Sequence, residues 1–180
     1  MKNLLFLVLT ILGITSALAQ DKILTKTGQV TFEASVPSFE EVKANHKNVT
    51  CIVNTKTGEI ASLILVKGFQ FKVALMEEHF NENYIESDKF PKATFKGKIE
   101  DFDLQKITSQ NQDFTIKGKI ELHGKIKDIV VIAKIKKVKN AIEITANFTL
   151  NPEDFDIQIP SLVRAKVAKK VDVKFDFTLQ

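Results

Sequence analysis

From Gln29 to the carboxyl end, apolar and polar side chains alternate with a period of two. Val30, Phe32, Ala34 and Val36 are separated by Thr31, Glu33 and Ser35. Phe114, Ile116, Gly118, Ile120 and Leu122 are separated by Thr115, Lys117, Lys119 and Glu121. The same rhythm runs through Ile142–Leu150 and Val171–Leu179. Each run predicts a strand with one dry and one wet face. Less regular runs at 49–54, 59–66, 93–100 and 126–138 bring the expected strands to eight. Thr55–Gly58 and Lys139–Asn140 read as tight turns between them. One-faced strands joined this way predict an all-β fold, an eight-stranded antiparallel β-barrel. Helical spacing is confined to short stretches near Phe39–Asn45, Val73–Asn83 and Ser161–Lys170, where short helices are expected. No linker or shift of composition marks a second domain.

Strand phase also nominates the residues that face the interior. Phe32, Ala34, Phe71, Phe95, Phe114, Ile116, Gly118, Ile144, Ala146, Phe148, Phe175 and Phe177 share the inward phase. Met76 joins them from a helical stripe of Val73, Met76 and Phe80. The chain has 14 Phe against one Tyr and no Trp, so the interior is aromatic but carries few polar handles. An eight-stranded barrel is just wide enough to fill itself with side chains or to hold one small ligand. The period is compatible with both. A short echo, TFKGKIE at 94–100 and TIKGKIE at 115–121, puts Gly97 and Gly118 in the inward phase. Two neighbouring strands of like design account for it. A glycine at such a place marks a bend or a close approach of backbones, and it can leave room inside.

Composition changes this picture at the amino end. Lys2, the apolar run Leu4–Leu12 and the small residues Ala17 and Ala19 follow one another in the order of a secretory signal peptide. Cleavage after Ala19 is expected, giving a leader of residues 1–19, a domain of residues 20–180 and a periplasmic or secreted, soluble protein. The run is too short to span a bilayer, which takes about 20 apolar residues, so no stable membrane insertion is expected. One of the 26 basic residues, Lys2, lies in the leader, leaving 25 against 22 acidic ones. That mild excess is spread along the chain and is no nucleic-acid signature; the one modest cluster, Arg164, Lys166, Lys169 and Lys170, reads as the solvated face of a short helix. The single cysteine, Cys51, shares a strand phase with Val49 and Val53 and reads as a small buried apolar residue.

The stretch LMEEHFNENYIESDKFP, residues 75–91, gathers Glu77, Glu78, Glu82, Glu86 and Asp88 around His79. No second His or Cys stands at ligand spacing, and His46 and His123 are far away in sequence, so no metal site is expected. The carboxylates read as the wet face of a short helix whose apolar stripe plugs the barrel. Pro91 then biases Phe90 toward an extended conformation, leading into the next strand. Phosphate-binding loops and nucleophile motifs are missing, so no catalytic residue and no cofactor is assigned.

The run from Phe69 to Phe102, then KGKIELHGKIKDIVV at 117–131 and the closing ANFTLNPEDFDIQIPSLVRAKVAKKVDVKFDFTL, resembles the YceI family across residues 28–179. The most specific portion runs from the Met76–Phe80 helix through KFPKATF to His123-Gly124. The resemblance implies an elongated, lipocalin-like barrel, exported, that holds an isoprenoid lipid tail of the quinone or polyprenyl type. It implies a binding protein and not an enzyme, with at most transient contact to a membrane or an envelope protein. The other reading of the residues is a barrel with a filled core that acts through its surface, in envelope stress or assembly.

Overall fold

In the computed structural model, which describes residues 21–180, the alternating runs become strands. These are β1 (Lys22–Ser35), β2 (Lys43–Asn54), β3 (Glu59–Leu65), β4 (Gln70–Phe71), β5 (Lys92–Ile99), β6 (Gln112–Leu122), β7 (Lys125–Val138), β8 (Ala141–Leu150) and β9 (Val167–Leu179). All pairings are antiparallel, in the order β1-β9-β8-β7-β6-β5-β3-β2, and β1 pairs back onto β2. Eight staves therefore close a barrel, and closure removes the free sheet edges. The short β4 pairs with Ala44–Asn45 of β2. The expected leader, with its Ala17–Ala19 site, lies outside the described residues.

The turns follow from local backbone chemistry. His123 and Gly124 both take positive φ, 50° and 71°, between the paired Leu122 and Lys125. That is the left-handed pair of a two-residue hairpin whose twist matches its strands. Gly58, at φ 71°, closes the β2–β3 turn by donating its N–H to Asn54 O at 2.9 Å.

Of the three expected helices, one forms. Helix α1 (Ala74–His79) continues as a wider turn over Phe80–Tyr84. Residues 39–42 are instead a loop, and β2 begins at Lys43, because Ala44 and His46 take up its inward phase. Near Ser161–Lys170 only a single tight turn forms, at Arg164–Lys166, and β9 starts at Val167, where the backbone pairs with Ser35. In both places the barrel ladder overrides a weak local helical spacing.

The two ends of the barrel differ. At the lower end, where β8 starts and β9 finishes, Val49, Cys51, Val53, Ile99, Ala133, Ile135, Ile144 and Leu179 are all 0 % exposed. At the upper end two seams open. β3 pairs with β2 only at Thr50–Val53, and residues 66–85, including β4 and α1, take its place above. β7 pairs with β8 only at Ala133–Val138, which leaves Lys125–Ile132 and Asn147–Leu150 unpaired with each other. The 151–160 segment packs beside that second seam, with Pro152 and Phe155 buried.

Candidate functional site

Splaying at the seams widens the upper barrel around a cavity of about 500 Å³. Its walls come from the inward phase of the strands: Val30, Phe32 and Ala34 of β1, Ile60 and Ile64 of β3, Phe95 of β5, Ile116 and Ile120 of β6, Ile129 and Val131 of β7, Phe148 and Leu150 of β8, and Val173, Phe175 and Phe177 of β9. The segments that fill the seams add Phe69, Phe71, Met76, Phe80, Tyr84 and Ile85 on one side, and Pro152, Phe155, Ile157, Ile159 and Val163 on the other. Polar side chains on the wall are few: Glu40, Ser62, His79, Tyr84, Thr94 and Lys166.

Two aromatic groups shape this space. Phe32, Phe69, Phe71 and Phe80 form one cluster, with Phe32 5.1 Å from Phe69 and 5.3 Å from Phe80 between ring centroids. On the adjoining strands β9 and β8, Phe175 stacks on Phe177 at 4.9 Å and approaches Phe148 at 6.3 Å. Edge-on and offset arrangements of this kind are favourable beyond simple burial. They hold the rings against the wall.

Glycines seat two of these rings. Gly97 and Gly118 pair directly across β5 and β6, so the sequence echo is a local twofold about a glycine pair. A Cβ on Gly118 would lie 2.4 Å from Lys96 O and 2.6 Å from the Phe95 ring tip. Gly28, at the bulges of β1, lies under Phe177 in the same way, with a Cβ position 2.5 Å from that ring. The glycines make room for phenylalanine, not for a ligand.

Among the residues nominated by phase, Phe32, Ala34, Phe71, Met76, Phe95, Ile116, Phe148, Phe175 and Phe177 border the cavity. Phe114, Gly118, Ile144 and Ala146 do not. Gly118 is covered by Phe95. Ile144 and Ala146 point inward at the lower end, where the core is filled, and Phe114 packs beside Phe102 at 6.5 Å. The inward phase is right for all of them, but the barrel is open along only part of its length. The contributions of Phe69, Tyr84, Ile85, Phe155 and Ile157 went unread, because they lie outside the strands. A trace of period two, Phe155-x-Ile157-x-Ile159, is the one signal that pointed to them.

The carboxylates of 75–91 are dispersed. Glu77 Oε2 accepts the Phe71 N–H at 3.0 Å, bracing β4 against α1. Asp88 pairs with Lys67. Glu86 meets Lys89 at 3.7 Å and His123 Nε2 at 2.9 Å. His123 also donates from Nδ1 to Phe155 O at 2.8 Å, so its ring ties the 151–157 segment to the 86–90 turn. Lys125 adds a 2.7 Å ion pair to Asp156, and that hydrogen bond holds the Asp156 carboxyl below the usual carboxylate range. The seam is thus pinned from outside while its inner surface stays apolar. Cys51 sits in the filled end, where burial pushes its thiol up to about 12; it is an inert packing residue.

The YceI-like domain family matches residues 21–179. Among solved structures, a polyisoprenoid binding domain from Saccharophagus degradans, implicated in plant cell wall breakdown, superposes with a TM-score of 0.76 at 13% identity, covering 89% of this chain and 98% of that one. BcnA from Burkholderia cenocepacia gives 0.70 at 15% identity over 85% of this chain and 96% of its own. The Campylobacter jejuni YCEI protein gives 0.62 at 17% identity over 79% and 86%. No curated protein matches the chain significantly in sequence. The barrel with its two filled seams, matched along nearly its whole length, makes this chain a member of the YceI-like family.

Proposed function

We propose that the protein is an exported carrier of an isoprenoid lipid of the quinone or polyprenyl type, with the apolar tail in the upper cavity. The observation that carries this reading is the cavity itself: about 500 Å³ of space with an almost wholly apolar, aromatic wall. That volume lies within the roughly 300–1,000 Å³ of typical ligand sites. Burying a hydrocarbon chain gains about 0.8 kcal/mol per CH₂, so each five-carbon unit contributes roughly 3–4 kcal/mol gross. A few such units offset the cost of association, which is about 4–15 kcal/mol. No charged recognition of the tail is needed, and Glu40 and Lys166 reach the wall from the segments that leave the barrel at its open end. The Saccharophagus relative, described as polyisoprenoid-binding, favours the same class of ligand.

Export follows from the leader. Cleavage after Ala19 leaves Gln20 as the first residue, and amino-terminal analysis of protein recovered outside the cytoplasm tests it. Met1 retained on exported protein would contradict it. The function is tested by organic extraction of the purified protein followed by mass spectrometry. The expected result is a stoichiometric apolar lipid with isoprene-spaced fragments. Clean protein that takes up neither quinone nor polyprenol overturns the carrier reading and leaves the surface-acting one.

A further inference from the structure

The cavity needs a door, and one part of its rim sets exposed apolar side chains beside cations that have no carboxylate partner among the described residues. Ser35 pairs with Val167, so the 36–42 loop and the 160–166 segment leave the barrel side by side at the open end. Leu162 is 89% exposed and Phe39 is 47% exposed. Phe39 itself borders the cavity, and Leu162 adjoins Val163, which does. Leaving Leu and Phe side chains in water at a cavity mouth has a cost that an apolar partner removes.

Charge says which partner. Between Asp156 and Asp172 the chain carries Arg164, Lys166, Lys169 and Lys170 and no acid. Among the described residues, none of these four has a carboxylate within ion-pair distance. Glu33 pairs with Asp172 and Ser35 with Val167, so the register against β1 is irregular opposite Ala34, where Lys169 and Lys170 are exposed. The adjoining loop contributes Glu40 and Glu41, which leaves this side of the rim net positive. Residues 72–91, which also border the cavity, carry five acidic side chains against Lys72 and Lys89. Exposed Leu and Phe among unpaired cations match the headgroup region of an anionic bilayer, where apolar side chains sink in and basic ones meet lipid phosphates.

We infer that the rim formed by residues 157–170, with Phe39, docks the open end of the barrel on an anionic phospholipid surface. Docked in this way, the open end of the barrel faces the lipid. The role of this contact, loading and unloading, rests on the carrier reading above; the contact itself is measured separately.

The test is flotation of the full mature protein with vesicles of equal parts phosphatidylglycerol and phosphatidylcholine, against vesicles of phosphatidylcholine alone. Binding is expected on the first and not the second, and it should be lost in about 1 M salt, where charges are screened within about 3 Å. Each basic side chain near such a surface contributes about fivefold in affinity, so the triple variant Arg164→Glu, Lys169→Glu, Lys170→Glu should bind at least about a hundredfold more weakly. Leu162→Ser should weaken binding several-fold. None of these four residues borders the cavity, so uptake of quinone or polyprenol added directly in solution should be unchanged. The control reverses as many exposed cations at the filled end, Lys22→Glu, Lys26→Glu and Lys137→Glu, and should bind as wild type does. Circular dichroism confirms that each variant is folded. Equal loss in the rim and control variants, or a wild type that floats with neither vesicle, overturns the docking surface. So does a rim-dependent dimer in sedimentation without vesicle binding. Vesicle binding without extractable lipid would keep the docking surface and remove the carrier reading.

Discussion

The lower and upper ends of the barrel use the same strands and the same alternation, yet one is solid and the other hollow. On β8, Ile144 is 0% exposed in the filled end, while Phe148, two turns of the pleat later, borders the cavity. On β7, Ala133 and Ile135 are sealed, while Ile129 and Val131 line open space. The inward phase does not change along either strand. What changes is the pairing: below Ala133 and Ala146 the two strands are joined, and above them they part. A closed ring of this width can fill itself, whereas a ring widened by inserted segments needs more side-chain volume than its staves carry. The lesson is that strand period fixes direction, and seam geometry fixes whether the interior is occupied.

The strongest way to break this comparison is to remove volume from the solid end. Ile144→Ala should cost about 2–5 kcal/mol, read by chemical denaturation, because its site is fully packed. Lipid bound per folded molecule should stay the same. A loss of lipid without a loss of stability would mean that the lower end is part of the cavity.

A smaller effect is expected at the glycine pair. Gly118→Val places its Cβ against Lys96 O and the Phe95 ring, which forces the ring or the strands to shift. We expect a cost of about 1–3 kcal/mol, with Phe95 pushed into the cavity and lipid reduced. Unchanged melting would show that the glycines leave usable room after all.

At the β7–β8 seam, His123→Ala deletes both hydrogen bonds of the ring and should cost about 1–2 kcal/mol. Amide exchange should quicken at 151–157 and 86–90 and remain slow around Cys51. Faster exchange spread evenly through the barrel would contradict a local pin.

The reading of the barrel in the sequence was strong where burial repeats every second residue and weak where it does not. β6, β8 and β9 stand out because Ile116, Ile144 and Phe177 sit among charged or hydroxylated neighbours. Beyond the brief Phe155-x-Ile157-x-Ile159 alternation the seam segments carry no period, because their side chains reach the cavity from irregular backbone: Phe69 follows a tight turn, Tyr84 ends the widened turn after α1, and Phe155 precedes the left-handed Asp156. The two expected helices near Phe39–Asn45 and Ser161–Lys170 do not form, for a related reason. A few residues at helical spacing carry little weight against a ladder of barrel hydrogen bonds. His123 gave no hint of its role, since its partners Glu86 and Phe155 are remote in sequence.

The smallest expected effect lies on the outer face of the filled end. Burial, followed by repulsion from Glu143, raises the Asp176 carboxyl above its ordinary value. A raised folded value means that folding favours the protonated form. The ionised carboxylate therefore costs stability at neutral pH, and that cost fades as the pH falls through the folded value toward the unfolded one. Asp176→Asn should raise the melting temperature slightly at neutral pH and leave it unchanged in acid. A variant that melts lower at neutral pH would show that the carboxylate is favourably paired.

The central claim is that the hollow end, and only the hollow end, holds the lipid. Native mass spectrometry of the intact protein, wild type beside Ala34→Phe and Ala146→Phe, tests it most directly. Ala34 borders the cavity and Ala146 does not. Wild type should carry one lipid adduct per chain. Ala34→Phe should remain folded with the adduct lost, and Ala146→Phe should keep the adduct while melting earlier. No adduct on the wild type, or an adduct untouched by the ring at position 34, would contradict the account.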